Sequence, residues 1–216
     1  MVIQLTPTGI STATDEAETR RVRQQLGQRH CVILPDFLSP ELLRLTQAHL
    51  GSETYYHRVH DGIGREDCLE PGPATAALEL AANDPELLQA VQRLAGCDTI
   101  RSFDGRIYRL VPGGDHYDSW HSDAGPDRLL GLSIDLSPER YEGGELELRR
   151  VGSAEPLFRG AHPRAGDAML FRLSPDLEHR VGPVRGPRPR IVYAGWFRSH
   201  PDYWERLRAR AKALHP

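Results

Sequence analysis

The sequence contains little cysteine and no long hydrophobic segment. Its three cysteines, Cys31, Cys68 and Cys97, are an odd number without a CxxC spacing, which argues against a disulfide framework and for a reducing compartment. No apolar run approaches the roughly 18 residues that a membrane-spanning helix needs, and the N-terminus lacks the charged-then-apolar pattern of a signal peptide. We therefore expect a cytoplasmic protein that does not enter a membrane.

The sequence also lacks a large excess of charge of either sign. It has 27 Lys and Arg against 30 Asp and Glu, a formal net charge of -3, and a pI of about 6.4. Basic residues cluster only locally, at 185–190 and 206–212. Without a broad basic surface, no nucleic-acid or membrane partner is expected, and a DNA or RNA demethylase is disfavoured. The composition does not indicate an oligomeric state.

A chain of 216 residues and 24.2 kDa suits one domain spanning residues 1–216. Residues 1–13 are predicted to be loosely structured. Residues 51–73 follow no clear period, which is typical of a binding loop or lid, or of a solvated connection. The expected parts are a helical N-terminal layer at 14–98, a jelly-roll core at 99–199 and a C-terminal helix at 200–216.

The first hundred residues carry signals for helix starts. Thr14 can cap a helix that runs to about Gln28, and Ser39 before Pro40 is typical of a second helix start. Two further helices are expected at about 74–82 and 84–95, the second capped by Asn83 or Asp84.

From Thr99 the pattern changes to short strands separated by Gly and Pro turns. Residues 129–136 alternate: Leu130, Leu132, Ile134 and Leu136 share one face, and Gly131, Ser133 and Asp135 the other. Further strands are predicted at about 100–111, 145–151, 168–173 and 190–197. Helices followed by many short strands favour an α+β protein with a β-sandwich or jelly-roll core.

Three His-x-Asp triplets are candidates for a metal site. In an extended chain, side chains two residues apart point to the same side, so an imidazole and a carboxylate can hold one ion. The triplets are His116-Tyr117-Asp118, His121-Ser122-Asp123 and His200-Pro201-Asp202. The third opens the last predicted helix, where its aspartate is better interpreted as a helix-start residue. The triplets alone leave the first two open and do not identify a third ligand.

Five motifs occur in an order and spacing that together are quite specific. They are His121-x-Asp123 after the Pro112-Gly113 turn, Tyr141-Glu-Gly-Gly-Glu-Leu146, Gly166-Asp-Ala-Met-Leu-Phe171, His179-x-Val-x-Pro-Val184, and Arg190 six residues before Trp196-Phe197. On these motifs the chain, from about Ile107 to Phe197, resembles the iron(II)/2-oxoglutarate-dependent oxygenases, and within them the prolyl 4-hydroxylase-like branch. The segment Cys31 to Glu41 also looks like the start of these proteins.

The resemblance implies a double-stranded β-helix fold and a third ligand. His121, Asp123 and His179 would form a two-histidine, one-carboxylate facial triad that leaves three positions of an octahedral ion open. The Trp120-His-Ser-Asp sequence matches the family's W-H-x-D form and favours His121 over His116. The implied cofactors are Fe(II), 2-oxoglutarate and O2. The implied reaction is hydroxylation of a C–H bond with release of succinate and CO2.

The resemblance also implies a basic residue that binds the far carboxylate of 2-oxoglutarate. Arg190 matches it, and an arginine suits this role because its planar fork pairs with a carboxylate bidentately. Arg188 is the competitor, although its flanking prolines favour a loop position. Tyr108 is a candidate hydroxyl donor or else a plain core tyrosine, and Ser133 is a further candidate for the pocket.

Substrate is expected to enter through an aromatic mouth of mixed charge. We expect this mouth to be lined by the 51–73 loop, with His57 and Arg58, and by Tyr117, Trp120 and Trp196. Such a mouth suits a small polar metabolite, an amino acid or a peptide segment. The alternative is a non-enzymatic jelly-roll module that binds a metal or a ligand, because a fold by itself does not determine function. Open coordination positions and Arg190 argue against that alternative.

Overall fold

A computed structural model describes residues 3–12, 15–51, 53–113 and 115–214. Within these ranges the helices are α1 (Glu16–Arg29), α2 (Pro40–Leu50), α3 (Pro73–Ala82), α4 (Pro85–Ala95) and α5 (Tyr203–Leu214). The strands are β1 (Ile3–Thr6), β2 (Gly9–Thr12), β3 (Cys31–Leu34), β4 (Tyr55–His60), β5 (Gly64–Leu69), β6 (Ser102–Leu110), β7 (Tyr117–Asp118), β8 (Arg128–Asp135), β9 (Glu142–Gly143), β10 (Leu146–Arg150), β11 (Pro156–Gly160), β12 (Ala168–Arg172), β13 (Leu177–Val181), β14 (Val184–Arg185) and β15 (Arg190–Arg198). No helix of the described chain has the length and apolar character needed to cross a bilayer.

The core is a double-stranded β-helix, as predicted. The main sheet has the antiparallel order β3-β12-β8-β15-β6-β5-β4, and β7 pairs with β5. A smaller sheet has the order β11-β10-β13, and β9 pairs with β14. An apolar cluster between the two sheets includes Leu146 and Leu148 from the small sheet and Met169 and Phe171 from the main sheet.

The helices cover the opposite face of the main sheet. Leu78 of α3 and Leu87 and Val91 of α4 belong to the same buried cluster as Phe103 of β6 and Leu132 of β8. Strand β8 is therefore buried on both faces: Leu130 and Ile134 pack in the cluster shared with the helices, and Ser133 on the other face lines the cavity between the sheets. The main sheet separates a helical layer from the cavity between the sheets.

Three helix starts follow the capping rules. The side chain of Asp15 accepts from the backbone N–H of Ala17 and so caps α1, whereas Thr14, the predicted cap, lies outside the described residues. Ser39 caps α2, with Pro40 in its first turn. Asp84, rather than Asn83, caps α4.

Two predictions of irregular structure were wrong. Residues 3–12 form the β1-β2 hairpin, and 55–69 form the β4-β5 hairpin, with Tyr55 opposite Leu69 and His60 opposite Gly64. Because β5 also pairs with β6, the second hairpin extends the main sheet. The hairpin is rich in charged residues, which an edge of a sheet tolerates. It therefore lacks the alternation of apolar and polar residues by which a strand is predicted. The 14–98 segment is accordingly a mixture of helices and strands.

The last triplet belongs to a helix start, as predicted. Asp202 accepts from the backbone N–H of Glu205 at 2.8 Å, and the Glu205 side chain accepts from the Asp202 N–H at 3.0 Å. This reciprocal pair satisfies backbone donors at the start of α5. The carboxylate of the triplet is thereby occupied with helix capping.

Candidate active site

A cavity of about 500 Å³ lies between the two sheets. On the main sheet it is lined by residues of β4, β5, β6, β7, β8, β12 and β15, and on the small sheet by residues of β10 and β13. A larger groove of about 1030 Å³ lies among the helices, the β1-β2 turn and α5. Of the two, only the inter-sheet cavity contains a cluster of potential metal ligands in the described chain.

The structure brings His121, Asp123 and His179 together in this cavity. One potential ligand atom from each lies within 4.8 Å of the others. The Asp123 Oδ2 is 3.8 Å from Nε2 of His121 and 3.5 Å from Nε2 of His179. The two histidines are also joined through their backbones, with N–H to O distances of 3.0 and 2.9 Å. This bridge places the segment after β7 against the middle of β13.

The hydrogen bonds of His121 leave the correct nitrogen free for a metal. Its Nδ1 lies 2.8 Å from the Ser119 carbonyl oxygen and 3.3 Å from Oδ1 of Asp118. Both partners are acceptors, so we assign a proton to Nδ1, which leaves Nε2, facing Asp123, as the nitrogen that a metal can bind in place of a proton. The carboxylate of the first triplet therefore contacts the histidine of the second.

His116 has the opposite tautomer. The backbone N–H of Val111 donates to its Nδ1 at 2.8 Å, so the proton belongs on Nε2, which lies 3.3 Å from Oδ1 of Asp67. His57, Asp67 and His116 are close enough to be a second metal cluster. However, a metal bound to Nε2 of His116 would move the ring proton to Nδ1. Nδ1 could then no longer accept the hydrogen bond from the Val111 N–H. The geometry therefore favours a hydrogen-bonded network at this second cluster.

The electrostatics of the first cluster suit a cation. Burial lowers the pKa of His121, but the nearby carboxylates of Asp123 and Asp118 outweigh it and raise the pKa to about 9. Burial raises the pKa of Asp123, but the adjacent imidazoles of His121 and His179 outweigh it and hold this pKa well below its usual range. Two imidazoles and one carboxylate are a donor set that fits Fe(II), and the ion would take the place of the proton.

Two donors hold the carboxylate of Asp123. The indole Nε1 of Trp196 donates to Oδ2 at 2.9 Å, and Nη1 of Arg128 donates to Oδ1 at 3.2 Å. The Arg128 guanidinium also stacks 3.9 Å above the Trp196 ring. Trp196, predicted to be a wall for substrate, does line the cavity but also orients a candidate ligand.

Arg190 is a buried cation that pairs with no carboxylate of the described residues. Its residue is 1% exposed, and it donates from Nη1 to the Tyr108 hydroxyl at 3.5 Å and from Nη2 to the Ser133 hydroxyl at 3.4 Å. Its Nε has no hydrogen-bond partner. Both hydrogen bonds are long, and a buried charge left without a counter-ion is costly. The site therefore fits an incoming anion such as the carboxylate of 2-oxoglutarate.

The competing arginine lies elsewhere. Arg188 is half exposed and pairs with Glu139 at 2.8 Å, outside the inter-sheet cavity. A glycine clears the space beside Arg190: a Cβ on Gly144 would come within 2.7 Å of its Cδ, and the Gly144 φ is +68°. The second glycine of the Tyr-Glu-Gly-Gly motif thus permits a turn at the wall of the pocket.

The neighbourhood of Arg190 includes two residues that the sequence did not indicate as site residues. The His162 Nε2 lies 2.9 Å from the Ser133 carbonyl oxygen, and its Nδ1 lies 3.4 Å from the Tyr141 hydroxyl. Burial and the charge of Arg190 lower the pKa of His162 to about 3, so this side chain is neutral. Tyr141 stood in a recognised motif, but nothing local in the sequence singled out His162.

The mouth of the cavity only partly matches the prediction. Arg58 and Tyr117 line it, but His57 and Trp120 do not. Alternation along β4 turns His57 to the outer face, where its Nδ1 is 3.2 Å from Asp67. Trp120 packs outside the cavity under two guanidinium groups, 3.8 Å from Arg149 and 4.6 Å from Arg180.

Comparison with known families gives one match. Residues 106–198 match the family model of the 2OG-Fe(II) oxygenase superfamily. These residues include the three candidate metal ligands and Arg190. No match was found among curated protein sequences.

The fold is shared with several solved structures. An oxidoreductase of the 2OG-Fe(II) oxygenase family from Burkholderia pseudomallei has 20% identity and a TM-score of 0.65, with 92% of this chain and 97% of that chain covered. A Pseudomonas putida prolyl-4-hydroxylase has 22% identity and a TM-score of 0.65, with 85% and 100% covered. The epimerase SnoN from nogalamycin biosynthesis has 16% identity and a TM-score of 0.64, with 85% and 84% covered. At these identities the likeness describes the fold.

Proposed function

We propose that this chain, whose residues 106–198 match the family model of the 2OG-Fe(II) oxygenase superfamily, is an enzyme of that superfamily and hydroxylates a C–H bond of a small polar metabolite, an amino acid or a peptide segment. Enzymes of this superfamily are 2-oxoglutarate-dependent dioxygenases that use Fe(II), 2-oxoglutarate and O2. The observation that carries the proposal is one cavity with two components. It holds both the His121, Asp123 and His179 cluster and the buried cation of Arg190, whose hydrogen bonds go to hydroxyl groups and not to a carboxylate.

The first component would hold the metal. His121 and His179 contribute Nε2 and Asp123 contributes Oδ2, while Ser119 and Trp196 fix the orientation of two of these groups. When bound, the iron supplies the oxidation chemistry, and the protein supplies geometry and a site from which water is excluded.

The second component would hold the co-substrate. Arg190 binds the far carboxylate of 2-oxoglutarate, with the hydroxyl groups of Tyr108 and Ser133 beside it. A charge-assisted pair with a carboxylate would neutralise the buried guanidinium and replace its long hydrogen bonds by short ones. The neutral His162 adds no competing charge to this end of the cavity.

The reaction type is the finer part of the proposal, because a similar fold occurs in an epimerase. Protein loaded with Fe(II) under anaerobic conditions should release succinate from 2-oxoglutarate when O2 is admitted. A screen of amino acids, short peptides and small metabolites would then be read by mass. Hydroxylation adds one oxygen atom from ¹⁸O2 to the substrate, whereas epimerisation leaves the substrate mass unchanged. An absence of iron-dependent succinate release would contradict the proposal.

The alternative is a non-catalytic jelly-roll module. A structural metal site tends to close its coordination shell with protein ligands. Here the three candidate ligands face a cavity of about 500 Å³, which favours a site that admits further molecules.

We also propose that residues 1–216 act as one domain, because helices α3 and α4 share a buried cluster with the main sheet.

A further inference from the structure

The cavity wall on the β4-β5 hairpin carries a row of charged side chains. Arg58 of β4 and Glu66 of β5 are directly opposite in register, and Arg106 of β6 lies beyond them. All three line the inter-sheet cavity. Because alternate residues of a strand share one face, these side chains point to the same side as Tyr108.

The cations at this mouth, with one exception, already have an anionic partner. Arg106 donates to Oε1 of Glu66 from Nε at 2.8 Å and from Nη2 at 2.7 Å. Arg65 pairs with Asp115, and Arg128 with Asp123. The partially exposed His60 has its Nε2 3.6 Å from the same Glu66 oxygen, beyond hydrogen-bond distance.

Arg58 is the exception. Across the described residues (3–12, 15–51, 53–113 and 115–214), it makes no hydrogen bond, ion pair or cation–π contact. It is half-buried, and it does not pair with Glu66 although the two are cross-strand neighbours. Glu66 is instead engaged by Arg106 and by the thiol of Cys68 at 3.4 Å.

The charges of the site do not cancel without a further anion. The two charges of 2-oxoglutarate and those of Glu66, Asp118 and Asp123 would balance Fe(II) and three of the five arginines that line the cavity, and Asp115 offsets Arg65, so one positive charge remains. Asp118 faces His121 and accepts from the Val181 N–H at 2.7 Å, so it is turned towards the candidate metal site. The charge without a counter-ion at the mouth is the guanidinium of Arg58.

From this arrangement we infer that the substrate of the proposed enzyme is a small molecule with a free carboxylate, and that Arg58 binds this carboxylate. The inference rests on the proposed function and narrows its substrate class. A planar guanidinium pairs bidentately with a carboxylate. A single free cation next to Glu66 is poorly suited to a polyanion, and the backbone of an internal peptide segment has no carboxylate to offer.

The test compares free acids with their neutral derivatives in the Fe(II)-loaded enzyme. The probes are the common amino acids and simple carboxylic acids, each with its methyl ester and its amide. We expect at least one free acid to stimulate 2-oxoglutarate consumption, and its ester to be at least about 10-fold weaker. Arg58→Gln should raise the KM for that acid by roughly 10- to 100-fold, and Arg58→Lys should recover part of the loss.

Two controls separate this inference from the proposed function. Arg65→Gln removes a cation of the same hairpin that already has a partner, and its KM for the acid should stay within about twofold of wild type. A second readout is binding: under anaerobic conditions the acid should raise the Tm of loaded wild-type protein but not of Arg58→Gln protein. Slow substrate-free succinate release should also be equal in wild-type and Arg65→Gln protein, because Arg65 pairs with Asp115 and contacts neither component of the proposed site.

The outcomes are distinct. Failure of wild-type protein to release succinate contradicts the proposed function itself. Normal release combined with equal stimulation by acids and esters overturns only the inference. So does stimulation confined to amides or internal peptides, an Arg58→Gln protein with unchanged KM, or a panel in which no free acid stimulates turnover.

Discussion

The indole nitrogen of Trp196 donates a 2.9 Å hydrogen bond to Oδ2 of Asp123. The same oxygen faces the Nε2 atoms of His121 and His179. Strand β15, which is central in the main sheet, therefore orients the side chain of Asp123 from the loop that follows β7. Six residues earlier on that strand is Arg190, so one strand contributes to both components of the proposed site.

Trp196→Phe should weaken metal binding while the fold is retained. The variant keeps the aromatic ring under Arg128 but removes the donor to Asp123, and loss of such an outer partner typically costs about 10- to 100-fold in metal affinity. Anaerobic titration with Fe(II) measures the change. Trp120→Phe is the matched control, because Trp120 packs under Arg149 and Arg180 outside the cavity. Equal affinities in the two variants would contradict this role of Trp196.

His121→Ala, Asp123→Ala and His179→Ala should each abolish iron-dependent turnover and greatly reduce Fe(II) binding. The core packs around apolar residues of both sheets, so circular dichroism should show a retained fold. His116→Ala is the control and should still bind the metal, because the Nε2 proton of His116 faces Asp67. Loss of Fe(II) from His116→Ala, with retention in His121→Ala, would mean that the wrong triplet has been assigned.

Arg190→Met should weaken 2-oxoglutarate binding by roughly 10- to 150-fold, since one charge-assisted contact of about 1.5–3 kcal/mol is lost. The Tm of the ligand-free variant should not fall, because the guanidinium it removes is buried without a carboxylate partner. Binding is measured by titration and by the rise in Tm with 2-oxoglutarate.

Arg188→Ala is the control for this prediction and should leave 2-oxoglutarate binding unchanged. Arg188 is half exposed and its partner, Glu139, is on the surface. Similar losses in the two arginine variants would leave the co-substrate pocket unassigned, and no loss in Arg190→Met would remove the main argument for this co-substrate.

His162 should make the protein less stable at acidic pH. Burial and the charge of Arg190 lower its folded-state pKa to about 3, whereas the unfolded pKa is about 6.5. Between these values the unfolded chain binds a proton that the folded protein does not. Stability is therefore complete above about pH 6.5 and falls as the pH drops towards 3, by up to about 1.4 kcal/mol per pH unit from this group.

Urea unfolding of wild type and His162→Gln at several pH values between 6.5 and 4 tests this. Glutamine can still donate to the Ser133 carbonyl but does not titrate, so the difference between the two proteins isolates His162. The free energy of unfolding should fall less steeply with decreasing pH in the variant. Parallel pH profiles would contradict a neutral buried histidine.

Much of the architecture could be predicted from local signals along the chain. Ser39 with Pro40 and Asp202 with its partner mark helix starts by hydrogen bonds that form within one turn. The strands around Ser133 and Arg190 lie close to their predicted bounds because alternation and Gly or Pro turns are local properties. The β4-β5 hairpin was missed because its pairing partner, β6, is distant in sequence and its own residues are charged.

The residue types available for a metal and an anion could be identified along the sequence: the His-x-Asp triplets, the distal His179, and Arg190 with its neighbour Arg188. The sequence could not choose among them, because that choice depends on partners from other elements. In the tertiary structure the Ser119 carbonyl holds Nδ1 of His121, so that Nε2 faces the candidate metal site. His116 is held in contacts with Val111 and Asp67. Arg190 is buried beside Gly144. A tautomer or a buried charge is a property of its surroundings, and only the folded chain supplies those surroundings.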